Sequence, residues 1–142
     1  MSLVKNRRGT AIVETDHGIL LVETRKGMIL LPGGGAKKRE PRFEAAVREL
    51  REETGLLAFS ALSLFEHISY SNAHRVVWIV ASGEPRPYDD AVALHYCTPE
   101  TVKNFKTASP ATREILNRFW EYQKEHPQLF TMWRIPNSGI SS

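Results

Sequence analysis

The segment from Pro32 to Gly55 limits how this chain can fold more tightly than any other part of its sequence. It opens with Pro32, Gly33, Gly34 and Gly35, which cut short an apolar strand at 28–31. The basic run Lys37-Lys38-Arg39 follows, and then Pro41, which suits the first turn of a helix because its missing N–H is not needed there. From 42 to 54 the apolar residues Phe43, Val47 and Leu50 recur at helical spacing, and Gly55 supplies a C-terminal stop. At ~100° per residue, Phe43, Val47, Leu50 and Thr54 fall within roughly 60° of one another, and Glu49, Glu52 and Glu53 gather on the opposite side. The helix therefore buries one stripe and carries three carboxylates on the other.

Around this segment the pattern is mixed. Residues 10–14 and 18–24 are short and rich in Ile, Val and Leu, and the break Asp16-His17-Gly18 between them predicts a β-hairpin. Residues 62–70 and 75–81 read as two more strands joined by the polar turn Ser71-Asn72-Ala73-His74, and 92–97 reads as another. Thr98-Pro99-Glu100 predicts the start of a short helix, and Ser109-Pro110 that of a longer one reaching about Lys124. The stretch after His126 has weak pattern, so residues 127–142 are expected to be a mobile tail. Strands, helix, strands and helices in that order point to an α+β domain rather than a regular βαβ repeat. A length of 142 residues suits one domain spanning 1–142.

Composition narrows the compartment and the partners. Cys97 is the only cysteine, which removes any intrachain disulfide or multi-cysteine zinc site and points to a reducing compartment. The start is charged with no apolar stretch behind it, unlike a secretory signal, and no apolar run approaches the ~20 residues of a membrane helix. A cytoplasmic location without membrane contact is expected. The net charge of +3 suits an anionic ligand without arguing for nucleic acid.

Glu49 and Glu53 stand one turn apart, a like-charge pair that costs a helix about 0.2–0.5 kcal/mol. Arg48 can pair with Glu52, which leaves the other two together. A hard divalent cation resolves this, because Mg²⁺ commonly takes one or two carboxylates with waters and phosphate oxygens completing its octahedron. A solvated acidic face would explain three glutamates alone. The wider pattern is more specific: Gly34, Glu40, Arg48, Glu49, Leu50, Glu52, Glu53, Gly55 and Leu56 fit Gly-x5-Glu-x7-Arg-Glu-U-x-Glu-Glu-x-Gly-U, with U aliphatic. Average residue frequencies give less than about a one-in-a-million chance of such a match.

That pattern, over residues 34–56, is the signature of the Nudix hydrolase family, and the chain resembles a small, single-domain, MutT-like member. The resemblance implies an α/β/α sandwich with a central mixed β-sheet and a catalytic loop–helix–loop. It implies that Glu49 and Glu53 are metal ligands, that Glu52 is a further ligand or orients the attacking water, and that the Gly33 carbonyl adds a contact. The proton-accepting role is divided between Glu52 and Glu49. Arg48 resembles the residue that holds the glutamates by ion pairing, and Glu40 the one tying the loop to the helix. Many relatives have glycine where Arg39 stands, which leaves that loop's conformation open. An acid from a later loop often completes the site; Asp90, then Asp89, is the choice, although both read equally well as turn residues.

Arg25 and the rim of Lys37 and Lys38 are candidate substrate contacts, with a solvated hairpin tip and a solvated loop as the plainer readings. The five histidines show no metal-ligand spacing, and the triple glycine is not a P-loop. Trp78 and Trp120 stand at packing positions. The resemblance then implies a Mg²⁺-dependent hydrolase, with Mn²⁺ as a substitute, that cleaves a phosphoanhydride in a nucleoside diphosphate linked to another group. Dinucleoside polyphosphates, diphosphoinositol polyphosphates and RNA 5′ ends are the alternative substrates, and a non-catalytic nucleotide sensor is the alternative class. The expected partner is a small nucleoside diphosphate derivative, and a homodimer is compatible with the sequence.

Overall fold

In chain order the elements are strands β1 (Asn6–Ile12), β2 (Glu14–Thr15), β3 (Gly18–Thr24), β4 (Ile29–Leu30) and β5 (Gly33–Gly35), then helix α1 (Arg42–Thr54). Strands β6 (Leu57–Ile68), β7 (Asn72–Ser82) and β8 (Ala91–Cys97), a 3-10 turn at Val102–Asn104, and helices α2 (Pro110–Glu125) and α3 (Pro127–Trp133) follow. They belong to a computed structural model that describes residues 4–133. Four strands form a mixed sheet in the order β5-β1-β7-β6, with β1 parallel to β7 and antiparallel to β5. The other four form an antiparallel sheet in which β3 pairs with β2, β4 and β8.

Period-2 alternation along the strands sorts their side chains into two cores. Ala11, Val13, Leu20, Val77 and Ile79 join Ala46 and Leu50 of α1. Ile12, Ile19, Leu21, Val76 and Trp78 join Ile115, Leu116 and Phe119 of α2 and Phe130 of α3. One helix therefore covers one face and two cover the other, which makes the expected α/β/α sandwich. Each fully buried Leu, Ile or Phe contributes about 1.5–3 kcal/mol of apolar transfer, so both faces hold their helices firmly.

Helix α1 has the bounds its apolar spacing predicts. Gly55 ends it in the left-handed region at φ 78°, its N–H donating to the Arg51 carbonyl. The most buried positions of its inner face are Ala45, Ala46, Leu50 and Thr54, whereas Phe43 and Val47 are half-buried at its edge. Small residues sit in the middle because α1 presses directly on β1. A Cβ on Gly9 would fall under 3.0 Å from backbone atoms of Arg42 and Ala46.

Several strand expectations change. The hairpin with β3 is made by Glu14–Thr15 alone, since β1 turns away to pair with β5 and β7 in the other sheet. The triple glycine does not merely stop a strand; it is one, paired with Arg8, Gly9 and Thr10 of β1. The β6–β7 turn comes earlier than residues 71–74, because Asn72 already begins β7 and Ser69 N–H donates to the Asn72 carbonyl. After Thr98 only the short 3-10 turn forms. The cap Ser109 accepts the Thr112 N–H and starts α2 as predicted. Residues 127–133 form α3 instead of a loose tail, and Phe130 is buried against Trp78, Phe119 and Tyr122. The remainder of the expected tail, 134–142, lies outside the described residues. Among the described residues no helix is long and apolar enough to cross a membrane.

Candidate functional site

Arg48, nearly two turns into α1, ties the acidic groups together. Its Nε and Nη2 donate to both oxygens of Glu40 at 2.8 and 2.9 Å. Its Nη1 donates to Glu49 Oε2 at 3.1 Å and to Glu52 Oε1 at 3.0 Å. Nη2 also reaches the Gly35 carbonyl at 3.1 Å, so one guanidinium joins the loop, the glycine strand and the helix. The reach to Glu49 goes beyond the Glu52 pairing read from helical spacing. Hydrogen bonds from Arg48, then from the Lys37 N–H, hold the Glu40 carboxyl down at about 2. Glu40 therefore stays ionised and clamps the loop onto α1, the role the resemblance implies.

The loop's open question concerns Arg39, which adopts φ 69°. That left-handed backbone is the conformation a glycine would take without cost, so the loop keeps its shape with the wrong residue for it. Arg39→Gly is accordingly expected to stabilise the protein by about 0.5–1 kcal/mol, read as a higher urea midpoint with unchanged slope. A lower midpoint would mean that Arg39 makes a compensating contact.

Glu49 and Glu53 meet the glycine strand. The Gly33 N–H donates to Glu53 Oε1 at 3.1 Å, and a Cβ on Gly34 would collide with the Glu49 carboxylate, which occupies that space. Burial pushes the Glu53 carboxyl up to about 8, the Gly33 N–H opposes this, and the charge of Glu49 adds to it. Two carboxylates crowd together with only one backbone donor between them, an arrangement that a cation would relieve. Their donors are all hard oxygens, which suits Mg²⁺ or Mn²⁺. Among the described residues no three His, Cys, Asp or Glu side chains form a ready-made metal cage. Two carboxylates supplemented by a carbonyl, waters and phosphate oxygens are what Mg²⁺ ordinarily takes. Glu52 is the most exposed of the three and is turned toward Arg48.

The remaining sequence candidates lie further out. Asp89 has φ 56° and Asp90 follows it, both exposed, as turn residues before β8. Their loop reaches the end of α1 through backbone bonds from Arg86 to Thr54 and from Tyr88 to Glu53. Among the described residues, neither aspartate side chain bonds to the carboxylates of α1. Arg25, at the β3–β4 turn, is held at 3.5 Å from the Asp89 carbonyl. Lys37 and Lys38 are exposed on the loop after β5.

Arg8 and His74 escaped the sequence reading. Both line a cleft of about 480 Å³ between β1, the β6–β7 turn and the start of α2. The signal available was alternation: with Gly9 and Ala11 facing α1, Arg8 and Thr10 must face the other way. Burial lowers the Arg8 pKa, and the charges of Glu53 and then Glu49 oppose this. His74 is 5% exposed, its Nδ1 2.8 Å from Thr10 Oγ1 and its Nε2 3.2 Å from Ser69 Oγ. Burial first, then Arg8 and His67, holds it down at about 4. Between pH 6.5 and pH 4 the unfolded chain binds a proton that the folded one refuses, so stability falls with pH across that window. Glu53, held up at about 8, has the opposite sign over the same range, so His74 is read from a difference: between pH 7 and pH 5 the wild type is expected to lose about 2 kcal/mol relative to His74→Asn, measured by urea midpoints of both proteins at both pH values. An equal slope in both proteins would overturn the assignment.

A family model described as the NUDIX domain matches residues 5–119. The chain is 32% identical to a structure described as a Nudix hydrolase family member from Chromobacterium violaceum, with a TM-score of 0.80, covering 93% of this chain and 92% of that one. A MutT NUDIX hydrolase from Burkholderia pseudomallei shares 26% identity over 80% of this chain and 97% of that one, at a TM-score of 0.60. A bifunctional NMN adenylyltransferase/ADP ribose pyrophosphatase from Francisella tularensis, complexed with AMP and a Mn ion, shares 18% identity over 84% of this chain and 42% of that one, at a TM-score of 0.64. No curated protein matches the chain.

Proposed function

The chain belongs to the Nudix family of hydrolases, and on that premise we propose that it cleaves a phosphoanhydride in a nucleoside diphosphate linked to another group, with Mg²⁺ as its metal. The observation that carries this reading is the pair Glu49 and Glu53, crowded against Gly33 and Gly34, with Arg48 bonded to one oxygen of Glu49 and the Gly33 N–H to one oxygen of Glu53. Glu49, Glu53 and the Gly33 carbonyl would hold the cation. When bound, it neutralises phosphate charge and makes a coordinated water more acidic. Mn²⁺ would serve as a substitute, as the Mn ion in the Francisella tularensis relative illustrates.

The chain's own residues supply position and proton transfer. Arg48 fixes Glu49 and Glu52 relative to each other through one nitrogen, so the two carboxylates keep their spacing as phosphate enters. Glu52 keeps its second oxygen free of protein partners among the described residues, so it can take the proton of the attacking water while Arg48 holds the first. Glu49 is the other candidate for that role. Arg25, Lys37 and Lys38 would meet the outer phosphates, and Asp90 would approach the site from its loop. The relative bound to AMP supports a nucleotide substrate.

A nucleotide sensor is the alternative class. It is disfavoured because every carboxylate of the motif is present and Arg48 holds three of them in place. The test is a panel of ADP-ribose, dinucleoside polyphosphates, nucleoside triphosphates and diphosphoinositol polyphosphates, followed by ³¹P NMR with Mg²⁺. Release of a nucleoside monophosphate from at least one nucleotide is expected. Intact substrates throughout the panel would sink the catalytic reading.

A further inference from the structure

Arg8 differs from Arg7, Arg42 and Arg48 in making no direct hydrogen bond or ion pair among the described residues. Arg48 is bonded to three carboxylates, Arg42 pairs with Glu66 at 2.6 Å, and Arg7 donates to the Glu40 carbonyl at 2.7 Å. Arg8 is half-buried and makes no hydrogen bond or ion pair among the described residues. A guanidinium has five donors in a planar fork, and withdrawing it from water without a partner is costly. Such a group is readily understood where an anion completes it.

Its place in the sheet says which anion. Arg8 stands opposite Gly35 of β5 and opposite His74 of β7. On one side is the glycine strand that seats Glu49 and Glu53; on the other is the cleft. The cleft walls are mainly uncharged: Leu30, Leu31 and Ile115 supply apolar surface, and Ser69 and Asn72 supply hydrogen-bonding groups. Arg8 and Glu114 are the only Lys, Arg, Asp or Glu residues among the described lining. A polyphosphorylated inositol ring would need several cations there. One phosphate joined to an uncharged body needs one. A volume of about 480 Å³ lies within the usual range for small-ligand pockets.

We propose that Arg8 holds the phosphate next to the scissile anhydride and that the cleft takes the nucleoside this phosphate carries. The proposal rests on the hydrolase reading above and selects nucleotide over inositol substrates. It is tested by calorimetry in EDTA with AMP, adenosine and inositol hexakisphosphate, on the wild type, Arg8→Gln and Ala111→Trp, with circular dichroism confirming that each variant folds. Ala111 lines the cleft, and a tryptophan there fills it.

Arg8→Gln is expected to weaken AMP about 10- to 100-fold, the loss of a charge-assisted hydrogen bond, and to leave adenosine unchanged. Ala111→Trp is expected to weaken both, and inositol hexakisphosphate is expected not to displace AMP. Equal AMP binding by wild type and Arg8→Gln, equal binding by wild type and Ala111→Trp, or no AMP binding by the wild type would each overturn the proposal. Kinetics with Mg²⁺ separate the two readings. Cleavage by the wild type with an unchanged KM in Arg8→Gln defeats the Arg8 assignment alone. If the wild type cleaves nothing, the hydrolase reading fails, and the metal-free AMP titration still decides Arg8.

Discussion

Glu53→Gln is expected to lower turnover about a thousandfold while the protein folds at least as well as the wild type. The two effects separate because Glu53 serves the fold and the cation with different features. Its Oε1 accepts the Gly33 N–H at 3.1 Å, and a glutamine carbonyl oxygen can accept the same bond. Its charge, in contrast, is a burden to the empty fold: burial disfavours it, and Glu49 repels it. Removing that charge relieves the fold and, on the proposed assignment, takes away a cation ligand. Thermal melts in EDTA should therefore show an equal or higher Tm for Glu53→Gln, and Mg²⁺ should raise Tm in the wild type only. A Tm well below wild type would assign Glu53 a structural role instead.

Gly9→Ala is expected to cost about 3 kcal/mol, at the upper end for overpacking, and to lower Tm by about 10 °C. One methyl group has this effect because its neighbours are backbone atoms of α1, at Arg42 and Ala46, and no side-chain rotation can make room. The helix must lift from β1 as a unit. Since α1 carries Glu49 and Glu53 while their glycine seat stays with β5, activity should fall beyond what the unfolded fraction explains. Differential scanning calorimetry with turnover measured well below Tm separates the two losses. A wild-type Tm in Gly9→Ala would mean that α1 sits further from the sheet than the structure places it.

The sequence made some of this legible and hid the rest for identifiable reasons. Helix α1 was readable to the residue because its apolar period, Pro41 and Gly55 agree with one another. The pairing of Arg48 with Glu52 follows from spacing within one helix and was likewise legible; Glu40 was expected to tie the loop to the helix only through the family resemblance, and its bond to Arg48 was not read from the sequence. The pairing of β1 was not. Residues 10–14 look like half of a hairpin, and only partners distant in sequence, Gly33–Gly35 and Asn72–Ser82, draw β1 away into the other sheet. The glycine strand was hidden because glycine has little strand preference of its own; it lies so close to β1 that a Cβ on Gly33 would collide with the Gly9 carbonyl. Helix α3 was obscured by weak local pattern, its place being set by Phe130 against Trp78 and Phe119. Arg8 was overlooked for a related reason: it became significant only when β5 and β7 came together on either side of it.

The carboxylates of α1 as the seat of a divalent cation that drives phosphoanhydride cleavage are tested most directly by the rate of ADP-ribose cleavage as Mg²⁺ is titrated into metal-free protein. The wild type is compared with the double variant Glu49→Gln/Glu53→Gln. Expected is a rate near zero without metal, a saturable rise with Mg²⁺ in the wild type, and no rise in the double variant. Cleavage that proceeds in EDTA, or a double variant that follows the wild-type curve, would contradict it.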